Sequence, residues 1–139
     1  MIGIVVASHG QFAAELVATA KQIIGDFPQV ETCTVVPGTS SDQLREELRR
    51  TVGLVDVGEG VLVFADLIGG SPCMQSLSLC ENFHIEVVTG VNLPMFMKAC
   101  SLRTSATRSL AEFAVELAQY GQRNITCATA ALRARVSAA

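Results

Sequence analysis

The stretch that decides the fold is Met1–Gly10, which reads MIGIVVASHG. Its apolar, mostly β-branched run predicts a strand over Met1–Ser8 that is buried on both faces of a parallel sheet. Gln11–Ile24 follows with apolar residues in the i, i+3, i+4, i+7 spacing of an amphipathic helix. Gly25 is placed to end that helix. The chain therefore begins as a strand that leads directly into a helix.

The same alternation continues along the chain. Three further strands are predicted, over Val30–Val36, Val61–Asp66 and Ile85–Thr89. Four further helices are predicted, over Asp42–Val52, Pro72–Glu81, Pro94–Leu102 and Arg108–Tyr120. This pattern predicts an α/β fold: a three-layer, flavodoxin-like, mostly parallel sheet in the order 2-1-3-4 with helices on both faces.

The ends of the later helices carry capping signals. Ser71 is expected as the N-cap of its helix, with Pro72 at the first helical position. Ser105 or Thr107 is expected to cap the last helix, and Gly121 to end it.

The C-terminal segment has a weaker pattern. Asn124–Thr129 has strand character, and residues 130–139 are expected to be frayed. Without a linker or repeat, residues 1–139 are interpreted as one domain.

Composition excludes several classes of function. Ten basic and 13 acidic residues leave a net charge of −3, which argues against a nucleic-acid partner. The apolar runs are much shorter than the ~20 residues of a membrane span, and no signal peptide is recognisable. We therefore expect a cytoplasmic protein without direct membrane insertion. Its five cysteines lack a C-x-x-C pair and are interpreted as reduced thiols, and neither a metal nor a cofactor is expected.

Polar residues follow the two strands that this topology makes neighbours. His9 follows the first strand, and Asp66 closes the third. Ligands of open parallel sheets bind beyond the carboxyl ends of the strands, so the two side chains should face each other across one crevice. A neutral imidazole is a nucleophile at one nitrogen, and a carboxylate that accepts the proton of the other fixes the tautomer. Ser71, at a helix N-terminus behind two glycines, would hold an anion. Together the three predict phosphoryl transfer.

Each of these residues also has a structural interpretation when it is taken alone. His9 could be a polar turn residue, Asp66 a turn cap, and the Gly-Gly-Ser-Pro stretch simply a helix start. The coincidence of all three at one sheet edge favours the functional interpretation. His84 precedes the fourth strand, at the opposite edge, and is interpreted as structural, and Met95–Met97 as packing or a partner surface.

Four segments in register resemble the IIA component of the mannose-family (mannose/fructose/sorbose) sugar phosphotransferase system. They are Ile4–Gly10 (IVVASHG), Val36–Gly38 (VPG), Phe64–Pro72 (FADLIGGSP) and Gly90–Met95 (GVNLPM). The resemblance covers residues 1 to about 120. It implies an α/β sheet of four parallel strands plus an antiparallel one.

The resemblance also implies roles and partners. His9 would be the histidine that is phosphorylated at Nε2, Asp66 the residue that orients its ring, and Ser71 a contact of the phosphoryl group. The donor would be the phosphocarrier HPr and the acceptor a IIB component, which serves the membrane IIC/IID permease. A homodimer that exchanges its last strand is implied for some members, and Asn124–Thr129 would play that part here. Because the chain stops at residue 139, a IIB domain would lie on a separate polypeptide.

Two other functions are considered. One is a regulatory module of the same system, in which phosphorylation of His9 controls a partner protein. The other is a small-molecule-binding or hydrolytic protein on a flavodoxin-like fold. His9–Gln11 is not the Ser/Thr-rich phosphate loop of a flavodoxin, and Gly69–Pro72 does not match the G-x-S-x-G pattern of a serine hydrolase.

Overall fold

A computed structural model describes residues 1–103 and 108–138 of the chain. Its sheet consists of four strands: β1 (Gly3–His9), β2 (Val30–Val35), β3 (Val61–Ala65) and β4 (Ile85–Val88). All neighbouring strands are parallel, and their order is β2-β1-β3-β4. The predicted order 2-1-3-4 is therefore confirmed.

Six helices are present in the described residues: α1 (Phe12–Ile24), α2 (Ser41–Val55), α3 (Ser71–Ser78), α4 (Leu93–Leu102), α5 (Leu110–Arg123) and α6 (Ala128–Ala138). One face of the sheet packs against α1, α4 and α5, and the other packs against α2 and α3. Alternate residues of one strand serve the two cores: Ile4 and Val6 point to the first, Val5 and Ala7 to the second. The three-layer α/β architecture expected from the sequence is confirmed.

Burial explains the apolar runs of the two central strands. Residues 3–8 of β1 and all of β3 are buried, whereas the edge strands β2 and β4 are only partly buried. A strand covered by helices on both faces has no solvent-facing side, so it carries no polar alternation.

The predicted strands and helices up to α5 are all present, with ends shifted by at most three residues. The helix α3 ends at Ser78 instead of near Glu81, because the chain tightens there into turns in which the N–H of Leu79 donates to the Ser76 carbonyl. The observed N-cap of α5 is Ser109, which forms a capping box with Glu112. The predicted caps Ser105 and Thr107 lie outside the described residues.

The prediction that Gly121 ends the last helix is wrong, because Gly121 lies inside α5. A Cβ at this position would stand 2.2 Å from Met95 Cε, and the Gly121 carbonyl accepts a hydrogen bond from Asn92 Nδ2 at 3.0 Å. Glycine is present here because α5 approaches α4 closely. That requirement arises from packing and not from a turn.

The expected antiparallel strand over Asn124–Thr129 is not present in the described residues. Residues 124–127 connect two helices, and Ala128 already begins α6. The helix α6 contains five alanines, counting Ala128 and Ala138, and alanine is the strongest helix former. No side chain of α6 is buried, so within this chain its helical structure depends on local propensity. No helix in the described ranges is both long and apolar enough to cross a membrane.

Candidate functional site

His9 is the last residue of β1 and lies at the carboxyl edge of the sheet. The turn beyond it depends on Gly10, whose φ is +55°, and the Gly10 N–H donates to the Val35 carbonyl at 3.1 Å. The buried Ser8 hydroxyl accepts a hydrogen bond from the Ala13 N–H at 2.8 Å and donates to the His9 carbonyl at 3.1 Å. The backbone on both sides of His9 is therefore fixed to β2 and to the first turn of α1.

Asp66 follows β3 and meets His9 across the sheet edge. The pairing of Ala7 with Ala65 brings the two residues together although they are 57 positions apart. Asp66 Oδ2 accepts the backbone N–H of His9 at 2.9 Å and lies 2.8 Å from His9 Nδ1. Asp66 Oδ1 accepts the N–H of Leu67 at 2.9 Å. One carboxylate thus binds both the main chain and the ring of His9.

The electrostatics of this contact favour an ionised Asp66. Burial acts to raise the pKa of its carboxyl, but the hydrogen bonds from the His9 backbone, the His9 ring and the Leu67 backbone outweigh it and lower the pKa below its ordinary value. The Asp66 side chain is 13% exposed, whereas the His9 side chain is 50% exposed. The anion therefore lies inside and the imidazole faces solvent.

The contact also decides the tautomer of the imidazole. A carboxylate can only accept hydrogen bonds, so the Nδ1 beside Asp66 carries the ring proton. In the neutral ring Nε2 then holds the free lone pair, and no described residue is hydrogen-bonded to it. A half-exposed imidazole with this arrangement is equipped for nucleophilic attack through Nε2.

The start of α3 differs from the prediction by one position. Gly70 is the N-cap, Ser71 is the first helical residue and Pro72 the second, so Ser71 does not cap the helix. The cap makes no side-chain hydrogen bond, and Ser71 is exposed. The helix therefore has free N–H groups at Ser71 and Cys73, because proline has none. This N-terminus adjoins His9 through Gly70, whose missing Cβ would stand 3.0 Å from His9 Cε1.

Sequence reasoning assigned no role to the apolar residues around the site. Phe12, Val36, Leu67 and Ile68 are 46–79% exposed, and each follows the carboxyl end of β1, β2 or β3. We call these four residues the apolar rim. A shallow groove of about 170 Å³ opens beside it, lined by Phe12, Glu15, Leu16, Thr19 and Leu93. The signal in the sequence was large apolar residues shortly after the strand ends: Val36, Leu67 and Ile68 in loops, and Phe12 at the start of α1.

The other histidine lies away from this edge. His84 directly precedes β4, at the amino-terminal edge of the sheet, where its carbonyl accepts the Val61 N–H at 3.0 Å. Met95 and Phe96 are buried in the core and Met97 packs against it, which confirms the packing interpretation. The described residues contain no group of three or more His, Cys, Asp or Glu side chains placed to hold a metal ion.

Comparison with known families agrees with this geometry. Residues 3–126 match the family model EIIA-man, described as the PTS (phosphotransferase system) fructose IIA component. The chain belongs to this family. The match includes the whole sheet, His9, Asp66 and the start of α3, and it confirms the resemblance inferred from the four motifs.

Individual relatives of this IIA component support the same assignment. This chain is 34% identical over 103 residues to the mannose-specific EIIAB component of Escherichia coli. The matched region covers 73% of this chain and 32% of that protein. The chain thus spans about a third of the length of that relative. The crystal structure of an EIIA component from Streptococcus agalactiae superposes with a TM-score of 0.84 at 27% identity, over 94% of this chain and 99% of that one. A mannose/sorbose-specific IIA subunit from Enterococcus faecalis gives 0.79 at 27% identity, over 90% and 92%.

Proposed function

We propose that this IIA component is a phosphocarrier: His9 accepts a phosphoryl group at Nε2 from phospho-HPr and passes it to a IIB component. The observation that carries the proposal is the contact of His9 Nδ1 with Asp66 on a half-exposed ring. It leaves Nε2 as the nucleophile of the neutral imidazole. The domain would work as one unit over residues 1–139.

The transfer step follows from that tautomer. The Nε2 lone pair of His9 forms a bond to phosphorus while the P–N bond to the donor histidine breaks, and the donor ring keeps that electron pair. His9 keeps its proton on Nδ1 and becomes a phosphorylated imidazolium. The Asp66 carboxylate beside Nδ1 offsets this new positive charge. The second transfer, to a histidine of IIB, runs through the same geometry in reverse.

The start of α3 would hold the oxygens of the phosphoryl group. The free N–H groups of Ser71 and Cys73 and the helix dipole favour an anion there, and the exposed Ser71 hydroxyl adds a neutral donor. Gly70 lies against the His9 ring, which supports a position of this helix end close to the reacting nitrogen.

Two protein partners must use this edge in turn. The apolar rim offers them a contact surface without deep enclosure, and the groove beside Phe12 would take one apolar side chain. The site edge carries apolar residues around a small polar centre. Such a surface suits sequential docking of HPr and IIB, because no part of either partner has to leave a closed pocket.

The decisive experiment is phosphorylation from phosphoenolpyruvate with enzyme I and HPr, followed by mass spectrometry at alkaline pH, where phosphohistidine survives. The wild type should gain one phosphoryl group on His9, and His9→Ala should gain none. His84→Ala is the matched control and should be labelled like the wild type. Ser71→Ala should be labelled several-fold more slowly. Uptake of label by His9→Ala, or a wild type that is labelled elsewhere, would refute the proposal.

The sugar phosphotransferase setting also belongs to the proposal. From IIB the group would go to sugar that enters through a membrane IIC/IID permease, and the carrier itself would work in the cytoplasm. The relatives are sugar-specific phosphotransferase components, which favours this role over a regulatory module. Transfer from the labelled carrier to a purified IIB component tests this setting directly.

A homodimer is a further part of the proposal, with α6 in place of the expected exchanged strand. No side chain of α6 is buried, and Leu132 and Val136 are 61% and 70% exposed. An isolated helix of 11 residues is marginal in water, so α6 needs a packing partner, which a second copy would supply. Light scattering should show a dimer for the full chain and a monomer for a chain that ends at Cys127. A monomeric full chain would exclude the dimer.

A further inference from the structure

Two adjacent glycines between β3 and α3 serve different purposes. Gly69 has a φ of +80°, a conformation that favours glycine, and a Cβ there would meet nothing within 4 Å. Gly70 has φ −70° and ψ 164°, which any residue adopts. Yet a Cβ on Gly70 would stand 3.0 Å from His9 Cε1, closer than atoms normally pack. At residue 70, therefore, the backbone does not require glycine, but a side chain would push the imidazole away by a few tenths of an ångström.

We propose that Gly70 is a positioning residue for His9, because its missing side chain lets the imidazole lie against the loop while Nδ1 reaches Asp66. This inference rests on the proposed role of His9 as the phosphorylated residue. The ring is bounded on two sides, by Asp66 Oδ2 at 2.8 Å from Nδ1 and by Gly70 at the Cε1 edge. Since Cε1 lies between Nδ1 and Nε2, a methyl group there would change the direction of both nitrogens.

The close contact made by the added methyl group of Gly70→Ala is relieved most easily by movement of the His9 ring. The Cα of residue 70 is fixed as the N-cap of α3, where the Gly70 carbonyl accepts the Met74 N–H at 2.9 Å. The other neighbours of that Cβ are Leu67 Cγ and the Leu67 carbonyl, at 3.5 and 3.6 Å, which is ordinary contact. The half-exposed imidazole is the group that can move. The carboxylate stays in place, because Asp66 also accepts the backbone N–H of His9 and the N–H of Leu67.

The expected result is a protein with an intact fold in which His9 Nε2 is displaced from its reactive position. A shift of the ring by a few tenths of an ångström weakens the contact of Nδ1 with Asp66, so fewer molecules carry the lone pair on Nε2. Misplacement of a reacting group by about 1 Å can cost about 100-fold in rate. We expect Gly70→Ala to accept the phosphoryl group from phospho-HPr about tenfold more slowly than the wild type, since the ring is displaced without being lost.

Gly53→Ala is the matched control. Gly53 lies inside α2, and a Cβ there meets nothing within 4 Å, so this variant should transfer at the wild-type rate and unfold at the same temperature or slightly higher. Ring nitrogen shifts of His9, measured by NMR, give the second readout. The wild type should show the proton on Nδ1, and Gly70→Ala a mixture of tautomers. In an Asp66→Ala background Gly70→Ala should slow transfer less than it does alone.

Several outcomes would overturn the inference. They are a wild-type rate for Gly70→Ala, a slow Gly70→Ala whose ring still holds its proton on Nδ1, and full additivity with Asp66→Ala. Loss of the fold in Gly70→Ala would also overturn it, since the backbone at residue 70 suits alanine. If the wild type takes no phosphoryl group on His9, the proposed function fails, whereas the NMR comparison still decides whether Gly70 positions the ring.

Discussion

The carboxyl edge of the sheet and the C-terminal helix α6 are opposite cases in one chain. At the edge, His9 and Asp66 are 57 positions apart but share hydrogen bonds of 2.8 and 2.9 Å. In α6, 11 consecutive residues form a helix without one buried side chain. In the first region the sequence led to two residues that the structure brings into contact. In the second it predicted a strand over Asn124–Thr129 and frayed residues 130–139, where the structure has a helix from Ala128.

The difference teaches where a sequence is informative. Once β1 and β3 are identified as buried neighbours, their register brings residues 9 and 66 together, because side chains that follow paired strands have little freedom. Nothing of that kind constrains the tail. Without a buried face, its structure depends on small local preferences, and the five alanines of α6 favour a helix where fraying was expected.

The largest expected effect is on the rate of phosphoryl transfer when the contact between His9 and Asp66 is removed. Asp66→Ala removes the acceptor for Nδ1 and the stabiliser of the imidazolium, so phosphoryl transfer from phospho-HPr should slow about 100-fold. Stopped-flow or quench-flow kinetics of label transfer measure this rate. Asp56→Ala, at the C-cap of α2, is a suitable control and should keep the wild-type rate. A rate for Asp66→Ala within twofold of the wild type would remove Asp66 from the mechanism.

The same carboxylate should make stability depend on pH. The hydrogen bonds that lower the pKa of Asp66 in the folded state stabilise its ionised form. Their contribution, about 1–3 kcal/mol, is complete above the ordinary pKa of a carboxyl and is lost as the pH falls through the lowered folded-state value. Denaturant unfolding of the wild type and Asp66→Ala should be measured from pH 7 down to pH 2. The difference between their free energies of unfolding should become smaller in acid. A difference that stays constant with pH would contradict this assignment.

A smaller effect, on stability, is expected for a substitution near the end of α5, the last helix with buried side chains. Gly121→Ala places a methyl group against the buried Met95, and overpacking costs typically about 1–3 kcal/mol. Alanine has a higher helix propensity than glycine, which offsets part of this cost. A net loss of about 1 kcal/mol in the free energy of unfolding is therefore expected. Chemical denaturation measures it, with Gly53→Ala as the control that has the propensity gain alone. If both variants were equally stable, the contact between α5 and α4 would not constrain residue 121.

The smallest effect is expected for removal of α6. A chain that ends at Cys127 lacks α6 but loses no buried side chain of the monomer. In dilute solution its free energy of unfolding should differ from that of the full chain by less than about 0.5 kcal/mol. Its transfer rate from phospho-HPr should also be unchanged. A loss above 1 kcal/mol in the monomer would show that α6 packs on the domain, and the contrast between the two regions would disappear.

Single residues show how far sequence reasoning reached within the site. His9 and Asp66 were predicted because each follows a buried strand, and the structure brings them into contact. Ser71 was predicted as the N-cap of its helix, but Gly70 takes the cap position. The separate purposes of Gly69 and Gly70 could not be separated beforehand, since a glycine that permits a positive φ and one that leaves space for a ring look the same in sequence.

The sequence by itself determined the α/β alternation, the parallel sheet and the pair of polar residues at its edge, because burial on both faces leaves a strong apolar pattern. The tertiary structure alone decided which nitrogen of His9 faces Asp66, why Gly70 and Gly121 lack side chains, and that α6 stands free of the core. Those features depend on distances of a few ångströms between segments far apart in the chain. Residue pattern records which face is buried, but it does not record how closely two segments approach.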